Sequence, residues 1–341
     1  MRYINIDDAR PGMMVGKPVY NESGAVLVNY RVKLTESLIE RMKDKGLPGL
    51  YIEDALSADI IVEDLISDEL QIKASVALKH LDIDAALDVA DKITKELSEN
   101  GEISLNLISL RTSSDYTYKH SINVAVLSVI TGMGIGLKRS MLKELSAAGL
   151  LHDIGKVNIP PQILDKEGPL SEEEFEIVKK HSEYGYEKIK DNVLITSKIK
   201  MGVYSHHENM NGTGYPLGLT GNQIYLFAKI IHIADVYDAL ISERTYKHAH
   251  SPAEAISFLK KNSGSMFEPE YIDAFLRYIP IYPKGRSVRL ETGEEALVIE
   301  NKQRHTMRPV IRLMNGKDID LSVPEYSEVK IIGFADTKKV R

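Results

Sequence analysis

Side chains that commonly bind metal ions recur between residues 120 and 235 of the sequence. Five are histidines and two are aspartates: His120, His152, Asp153, His181, His206, His207 and Asp235. Imidazole and carboxylate groups without thiolates suit zinc, manganese, iron, nickel or cobalt. One tetrahedral ion takes four ligands, so seven candidates suit two ions that share a carboxylate. Two ions about 3.5–4 Å apart are a common device for phosphoester hydrolysis.

Two of the candidate sets are adjacent pairs, His152-Asp153 and His206-His207. Neighbouring residues on a helix point in different directions, so an adjacent pair suits two neighbouring ions better than one. Lys156 follows Asp153 by three residues and is expected to face the same side. Its ammonium would stabilise charge on a phosphate or protonate a leaving oxygen. His232, one turn before Asp235, is interpreted as a packing residue.

Four segments carry a resemblance to a known family: YTYKHS (116–121), HDIGKVNIP (152–160), HHENMNGTGYP (206–216) and ADVYDALISERTYK (234–247). In order and spacing they resemble the HD-GYP family, a branch of the HD phosphohydrolases that hydrolyse cyclic di-GMP. The similarity runs from about residue 100 to 280. It implies hydrolysis of cyclic di-GMP to pGpG, GMP or both, by a metal-bridging hydroxide at a two-metal site, with Asp153 and Lys156 as catalytic residues.

The resemblance also implies how the ligands are shared. One metal would be held by His120, His152, Asp153 and Asp235. The second would be held by His181, His206 and His207, with Asp153 shared, and the metals would be iron or manganese. Some members carry a glutamate for a third metal where this chain has Tyr116, so we predict two metals.

Substrate contacts are expected from two further regions of the resemblance. The signature loop of the family corresponds to Gly214, Tyr215 and Pro216, where Tyr215 either stacks on a guanine or has a purely structural role. Arg244 and Lys247 occupy the family's phosphate- and base-binding positions. Arginine gives bidentate phosphate contacts and lysine a point charge.

Two alternatives stay open at this point. The same site could hydrolyse another cyclic dinucleotide, such as cyclic GMP-AMP. The chain could also be a sensor that binds the dinucleotide without cutting it. Degenerate sites usually lose ligands, whereas every expected ligand is present here, which favours an enzyme.

Composition limits the remaining function classes. The formal net charge of −6 provides no basic field for a long nucleic acid. The absence of cysteine excludes thiolate metal sites and a cysteine nucleophile, and it is compatible with the reducing cytoplasm of a bacterium. The apolar segment from Ser121 to Leu137 is interrupted by polar residues and is shorter than a membrane span, so we expect a buried helix and a cytoplasmic protein.

The periodicity of apolar residues divides the chain into four segments. We predict a small strand-rich N-terminal domain (1–65), connecting helices (66–100), an all-helical catalytic domain (101–284) and a β-rich C-terminal extension (285–341). The fold class is therefore mainly α, an HD-type helical domain between a small α+β domain and a β-rich tail. The flanking parts could regulate access, form a homodimer, bind partner signalling proteins or only pack.

Overall fold

The computed structural model describes residues 1–20, 25–62, 64–99, 116–166, 168–242, 250–302 and 305–335. It has the predicted layout, a mainly helical domain with small strand-rich parts at both ends. None of the helices within these ranges combines the length and apolarity that crossing a membrane requires.

The N-terminal part is a small sheet with one helix. Strands β1 (Arg2–Asn5), β5 (Gly49–Glu53) and β2 (Met14–Val15) form an antiparallel sheet in that order, and β3 (Val19–Tyr20) pairs with β4 (Val26–Val28). Helix α1 (Glu36–Asp44) begins at Thr35, whose hydroxyl accepts from the backbone N–H of Leu38. This satisfies one of the unpaired N–H groups of the first turn.

Two amphipathic helices, α2 (Asp68–Lys79) and α3 (Ile83–Glu99), connect this part to the central helices. The central helices are α4 (Tyr116–Gly134), α5 (Arg139–Leu151), α6 (Pro161–Leu164), α7 (Glu172–Lys179), α8 (His181–Ile189), α9 (Ser197–Ser205), α10 (Leu226–Ile241), α11 (Pro252–Lys261) and α12 (Pro269–Tyr278). Capping boxes, formed by a serine and the glutamate three residues later, are present at Ser171 and Ser251 and begin α7 and α11.

Helix α4 is the centre of the helical part. Every residue from 120 to 132 is buried, which confirms that the apolar segment forms a core helix. It packs against α5, α10 and α12, and α9 packs against both α5 and α10. An apolar helix covered on all sides needs no amphipathic face, and this explains why its sequence shows so little periodicity.

The C-terminal part is an antiparallel five-stranded sheet. Its strands are β6 (Ser287–Leu290), β7 (Glu295–Glu300), β8 (Val310–Leu313), β9 (Asp318–Asp320) and β10 (Ile331–Phe334), in the spatial order β10-β6-β7-β8-β9. The guanidinium of Arg312 binds both carboxylate oxygens of Asp59, at 2.6 and 2.9 Å, and so ties this sheet to the N-terminal part. One continuous set of buried apolar side chains runs from Leu65 to Leu321. Because the core crosses our predicted boundaries, the four-segment division remains a proposal.

Candidate metal centre

The seven candidate ligands come from five places in the helical part and meet in one buried centre. His120 lies on α4 and Asp235 on α10, while the other five lie where helices end or begin. His152 and Asp153 follow α5, His181 begins α8, and His206 and His207 follow α9. The structure therefore brings together residues that are far apart in sequence.

Three of the histidines are oriented in the same way. The Nδ1–H of His152 donates to the carbonyl of Gly149, that of His181 to Val178, and that of His206 to Val203, each at 2.7 Å. Each acceptor lies three residues earlier, in the last turn of α5, α7 or α9, where carbonyls lack a partner within the helix. This hydrogen bond fixes the tautomer, so Nε2 of each ring carries a lone pair directed at the centre.

The first cluster contains His120, His152 and Asp153, whose donor atoms lie within 4.8 Å of one another. His152 Nε2 is 3.3 Å from Asp153 Oδ2, and His120 Nε2 is 3.8 Å from the same oxygen. Asp235 joins this cluster through Oδ1, which lies 3.0 Å from His120 Nε2. These are the four residues that the family resemblance implies for one metal.

The second cluster contains His181, His206 and His207. His181 Nε2 is 3.2 Å from Nε2 of His206 and 3.2 Å from Nε2 of His207. Ligand nitrogens around a tetrahedral ion with bonds of ~2.0–2.1 Å are separated by about 3.3–3.4 Å. The observed separations are close to that value, so the three nitrogens can share one ion.

Asp153 lies between the two clusters. Its Oδ2 faces His152 of the first cluster, and its Oδ1 is 3.4 Å from His181 Nε2 of the second. Gly155 permits this approach, because a Cβ there would lie 2.0 Å from the carbonyl oxygen of His181. Any side chain at this position would push the turn at Ile154–Asn158 away from α8. Asp235 also reaches both clusters, since its Oδ2 is 3.8 Å from His207 Nδ1.

The residues present fit a pair of cations. His152 Nε2 and Asp153 Oδ1 are fully buried and have no hydrogen-bond partner among the residues that the structure describes. Burying such atoms unpaired costs about 1–3 kcal/mol each. His181 and His206 direct the lone pairs of their Nε2 atoms at each other, with no proton between them. This contact is repulsive unless a cation lies between the two nitrogens. Nitrogen and carboxylate ligands without sulfur suit divalent transition metals.

The electrostatics of the centre keep His206, His207 and Asp153 in the protonation state that binds metal. Burial, followed by the nearby histidines, holds the pKa of His206 and His207 well below the usual value. Burial alone would raise the pKa of Asp153, but His152 and Lys156 outweigh it and hold that pKa well below its usual range. Neutral imidazoles and ionised carboxylates are the forms that ligate metals.

His120 is held differently from the other histidines. Its Nδ1–H donates to Asp238 Oδ2 at 2.8 Å, and the other carboxylate oxygen of Asp238 accepts from Asn123 Nδ2 at 2.8 Å. Burial opposes protonation, but the hydrogen bonds to Asp235 and Asp238 raise the pKa of His120 to about 9. A metal-binding histidine whose other nitrogen donates to a carboxylate is a common arrangement.

The signature loop packs directly on the second cluster. The ring of Tyr215 stacks on the imidazole of His207, with centroids 4.6 Å apart and planes inclined by 26°. Gly214 has no room for a side chain, since a Cβ would lie 2.3 Å from the backbone nitrogen of Asn209. The buried carboxylate of Glu208 accepts from the backbone N–H groups of Leu217 and Leu219, at 2.7 and 2.9 Å.

Comparison with known proteins agrees with this architecture. A family model described as an HD domain matches residues 104–271. The chain is 35% identical over 245 residues to the cyclic di-GMP phosphodiesterase PA4108 of Pseudomonas aeruginosa, covering 72% of this chain and 59% of that protein. It is 33% identical over 229 residues to the cyclic di-GMP phosphodiesterase PdeB of Borreliella burgdorferi, covering 67% and 60%.

The chain belongs to the HD-GYP family. It spans about 60% of the length of these two relatives. Among solved structures, the HDG"Y"P protein Bd1817 from Bdellovibrio bacteriovorus matches 80% of this chain and 97% of its own length. Its TM-score is 0.54 at 20% sequence identity, a similarity of fold alone.

Within this HD-GYP chain, the structure also places the other residues singled out from the sequence. Lys156 lies beside the centre, where its ammonium forms an ion pair with Asp153 Oδ2. His232 packs its ring 5.0 Å from that of Phe267, and its Nε2 lies 3.1 Å from Asn209 Oδ1. Arg244 and Lys247 lie outside the described residues, so their expected substrate contacts stay predictions.

Two residues of the HD-GYP site were missed by sequence reasoning. Asp238 orients His120, and its position three residues after Asp235 on α10 was a signal, because such residues share a helix face. Glu208 is buried although its type is usually exposed. Its sequence position, directly after two candidate ligands, gave no indication that it anchors the loop.

Proposed function

We propose that the chain is a metal-dependent phosphodiesterase of cyclic dinucleotides, and that cyclic di-GMP is its substrate. The observation that carries this proposal is the set of imidazole nitrogens whose lone pairs converge, without protons, on a shared aspartate. A buried arrangement of this kind is unfavourable by itself and is relieved by cations. Two adjacent cations are suited to phosphoester hydrolysis.

In this proposal His120, His152, Asp153 and Asp235 hold one metal, and His181, His206 and His207 hold the second with Asp153 shared. We infer iron or manganese from the family resemblance and from a donor set without sulfur. When bound, the two cations would lower the pKa of a shared water and neutralise negative charge on the phosphate.

The chain supplies the remaining functions of the reaction. Asp153 orients the two clusters through its two oxygens, and Asp238 keeps His120 in the correct tautomer. Lys156 is paired with Asp153 and half-buried, so its ammonium lies at the edge of the centre. From there it would protonate the departing ribose oxygen or stabilise charge on the phosphate. The products would be pGpG, GMP or both.

A second substrate is favoured by a specific comparison. The chain is 35% identical over 170 residues to 3'3'-cGAMP-specific phosphodiesterase 3 of Vibrio cholerae, covering 50% of this chain and 37% of that protein. The names of PA4108 and PdeB support cyclic di-GMP over longer segments. The alternative of a non-hydrolysing sensor has less support, because the candidate ligands converge. A cytoplasmic location and a homodimer or signalling partner remain predictions.

The deciding experiment measures hydrolysis by purified protein loaded with Mn²⁺ or Fe²⁺. We expect cyclic di-GMP to be consumed faster than 3'3'-cGAMP, with pGpG and GMP separated by chromatography. The double variant His152→Ala, Asp153→Ala should lose hydrolysis. The control His80→Ala removes an exposed histidine at the end of α2 and should retain it. Hydrolysis that survives the double variant would contradict our assignment of the site.

A further inference from the structure

An aromatic side chain lies at the rim of the metal centre without contributing to the core. Phe175 on α7 is 45% exposed, and α7 has no buried residue. Its ring lies 6.4 Å from the ring of Tyr215, with the planes nearly perpendicular at 84°. Tyr215 in turn stacks on His207, so two ring contacts connect Phe175 to the second cluster. Phe175 is thus a partly open ring face next to the centre.

A cation lies over this ring and turns aside when a base stacks there. The ammonium of Lys179, one turn further along α7, is 5.0 Å from the centre of the Phe175 ring and 5.8 Å from that of Tyr215. It also pairs with Glu176 at 2.5 Å, but that carboxylate is 67% exposed. Surface pairs of this kind contribute little to stability, so Lys179 can exchange Glu176 for a ligand at little cost.

We propose that Phe175 and Lys179 form a subsite for a guanine base of the substrate. This inference rests on the proposed function, because the base is placed here by a phosphate bound at the metal centre. Phe175 stacks on the face of the base, an interaction that every base can make. Lys179 donates to O6 and N7, which are both acceptors in guanine. Adenine has an amino group in place of O6, so this subsite selects guanine.

Isolated exposed phenylalanines are common on protein surfaces, and two features set Phe175 apart from them. Ring contacts connect it to His207, and it shares a side of α7 with a cation whose partner is mostly exposed. Aromatic and cationic groups together are what nucleotide recognition needs. A surface ring with only a structural role would make no distinction between ligands with and without a base.

The test compares ligands that differ only in the base. Calorimetry of the Mn²⁺-loaded protein would measure the binding of GMP, AMP and ribose 5-phosphate, which has the same sugar phosphate without a base. We expect GMP to bind the most tightly. Phe175→Leu removes the aromatic face and should weaken GMP binding about five- to 150-fold, the range of base stacking on aromatic side chains. Ribose 5-phosphate binding should not change.

Matched controls are available for both residues. Phe258→Leu makes the same change at an exposed phenylalanine on α11 and should leave GMP binding unchanged. Lys179→Met should reduce the preference for GMP over AMP by about fivefold or more. A side chain that hydrogen-bonds the edge of a base typically discriminates against another base by at least this factor. Lys180→Met removes the charge of the neighbouring exposed lysine and should keep the preference.

Each outcome separates this inference from the proposed function. Equal weakening of GMP and ribose 5-phosphate by Phe175→Leu would overturn the subsite, and so would a wild-type protein that binds both ligands equally. An unchanged GMP preference in Lys179→Met would overturn the role of Lys179. If the variants behave as expected but cyclic di-GMP is not cleaved, the subsite stands and the proposed hydrolysis is wrong.

Discussion

Asp238 provides the sharpest test of how the centre is built, because it touches no expected substrate and binds no metal in our assignment. Its carboxylate accepts two buried hydrogen bonds at 2.8 Å, one from Nδ1 of His120 and one from Nδ2 of Asn123. Asp238→Leu keeps much of the shape but removes both acceptor oxygens. Both donors then lose their acceptor.

The magnitude follows from these contacts. A hydrogen bond to a charged group contributes about 1.5–3 kcal/mol, which corresponds to about ten- to 150-fold in an equilibrium constant. In Asp238→Leu, His120 loses the acceptor that keeps its proton on Nδ1. Its Nε2 is then no longer held as a ligand. Removing such a supporting partner typically weakens metal binding about ten- to 100-fold, and we expect a loss in this range.

The assay is a metal-binding titration against a competing chelator, with Mn²⁺ or Zn²⁺, accompanied by thermal unfolding of the metal-free protein. Asp318→Leu is the control, because Asp318 is an exposed partner of Arg312 in the C-terminal sheet. The control should bind metal as the wild type does. If Asp238→Leu also retained full metal affinity, the argument that His120 needs a fixed tautomer would be refuted.

Three further predictions concern the proton donor, the loop and the buried imidazoles. Lys156→Met should lower kcat in steady-state kinetics about 100- to 10,000-fold with metal affinity retained, whereas Lys188→Met, at an exposed position of α8, should leave kcat unchanged. An unchanged kcat in Lys156→Met would exclude general acid catalysis by Lys156. Gly214→Ala forces a Cβ to within 2.3–2.5 Å of the preceding turn, so it should destabilise the protein by about 1–3 kcal/mol and lower the melting temperature by several degrees. Gly333→Ala, where a Cβ would meet no described atom within 4 Å, should leave the melting temperature unchanged. Equal melting temperatures of the two variants would contradict the close packing of the loop. Burial lowers the pKa of His232 to about 4, so between pH 6.5 and 4 the unfolded chain binds a proton that the folded chain does not. This group should therefore make the free energy of unfolding about 2 kcal/mol lower at pH 5 than at pH 7. Denaturant titrations of the metal-free protein at the two pH values should show a smaller difference for His232→Gln, and an equal difference would contradict the prediction.

Much of the fold could be predicted because its signals are local. The capping boxes at Ser171 and Ser251 each mark a helix start through hydrogen bonds within four residues. The alternation of apolar residues after residue 285 is that of strands, and β6, β7 and β8 lie where it predicts. The continuity of the core across the proposed boundaries could not be predicted, because it depends on which surfaces meet.

The candidate site was predictable in its members but not in its geometry. Residue type and order identified the seven candidate ligands, and the adjacent pair at His152 and Asp153 indicated two ions. Nothing in the sequence showed that the last carbonyls of three helices would orient three imidazoles. The supporting roles of Asp238 and Glu208 were not predicted from the sequence, because the role of a buried carboxylate depends on its hydrogen-bond partners and not on its residue type.

Residue types at short spacing were enough to predict the chemical groups of the site, the starts of several helices and strands, and the family that the chain resembles. The position of Asp153 between two clusters and the stacking of Tyr215 on His207 depend on the three-dimensional fold. Helix packing sets these distances, and it lets Gly155 approach the backbone of α8 without a side chain between them. Contacts across a fold arise from the joint burial of many apolar residues, and no single segment encodes them.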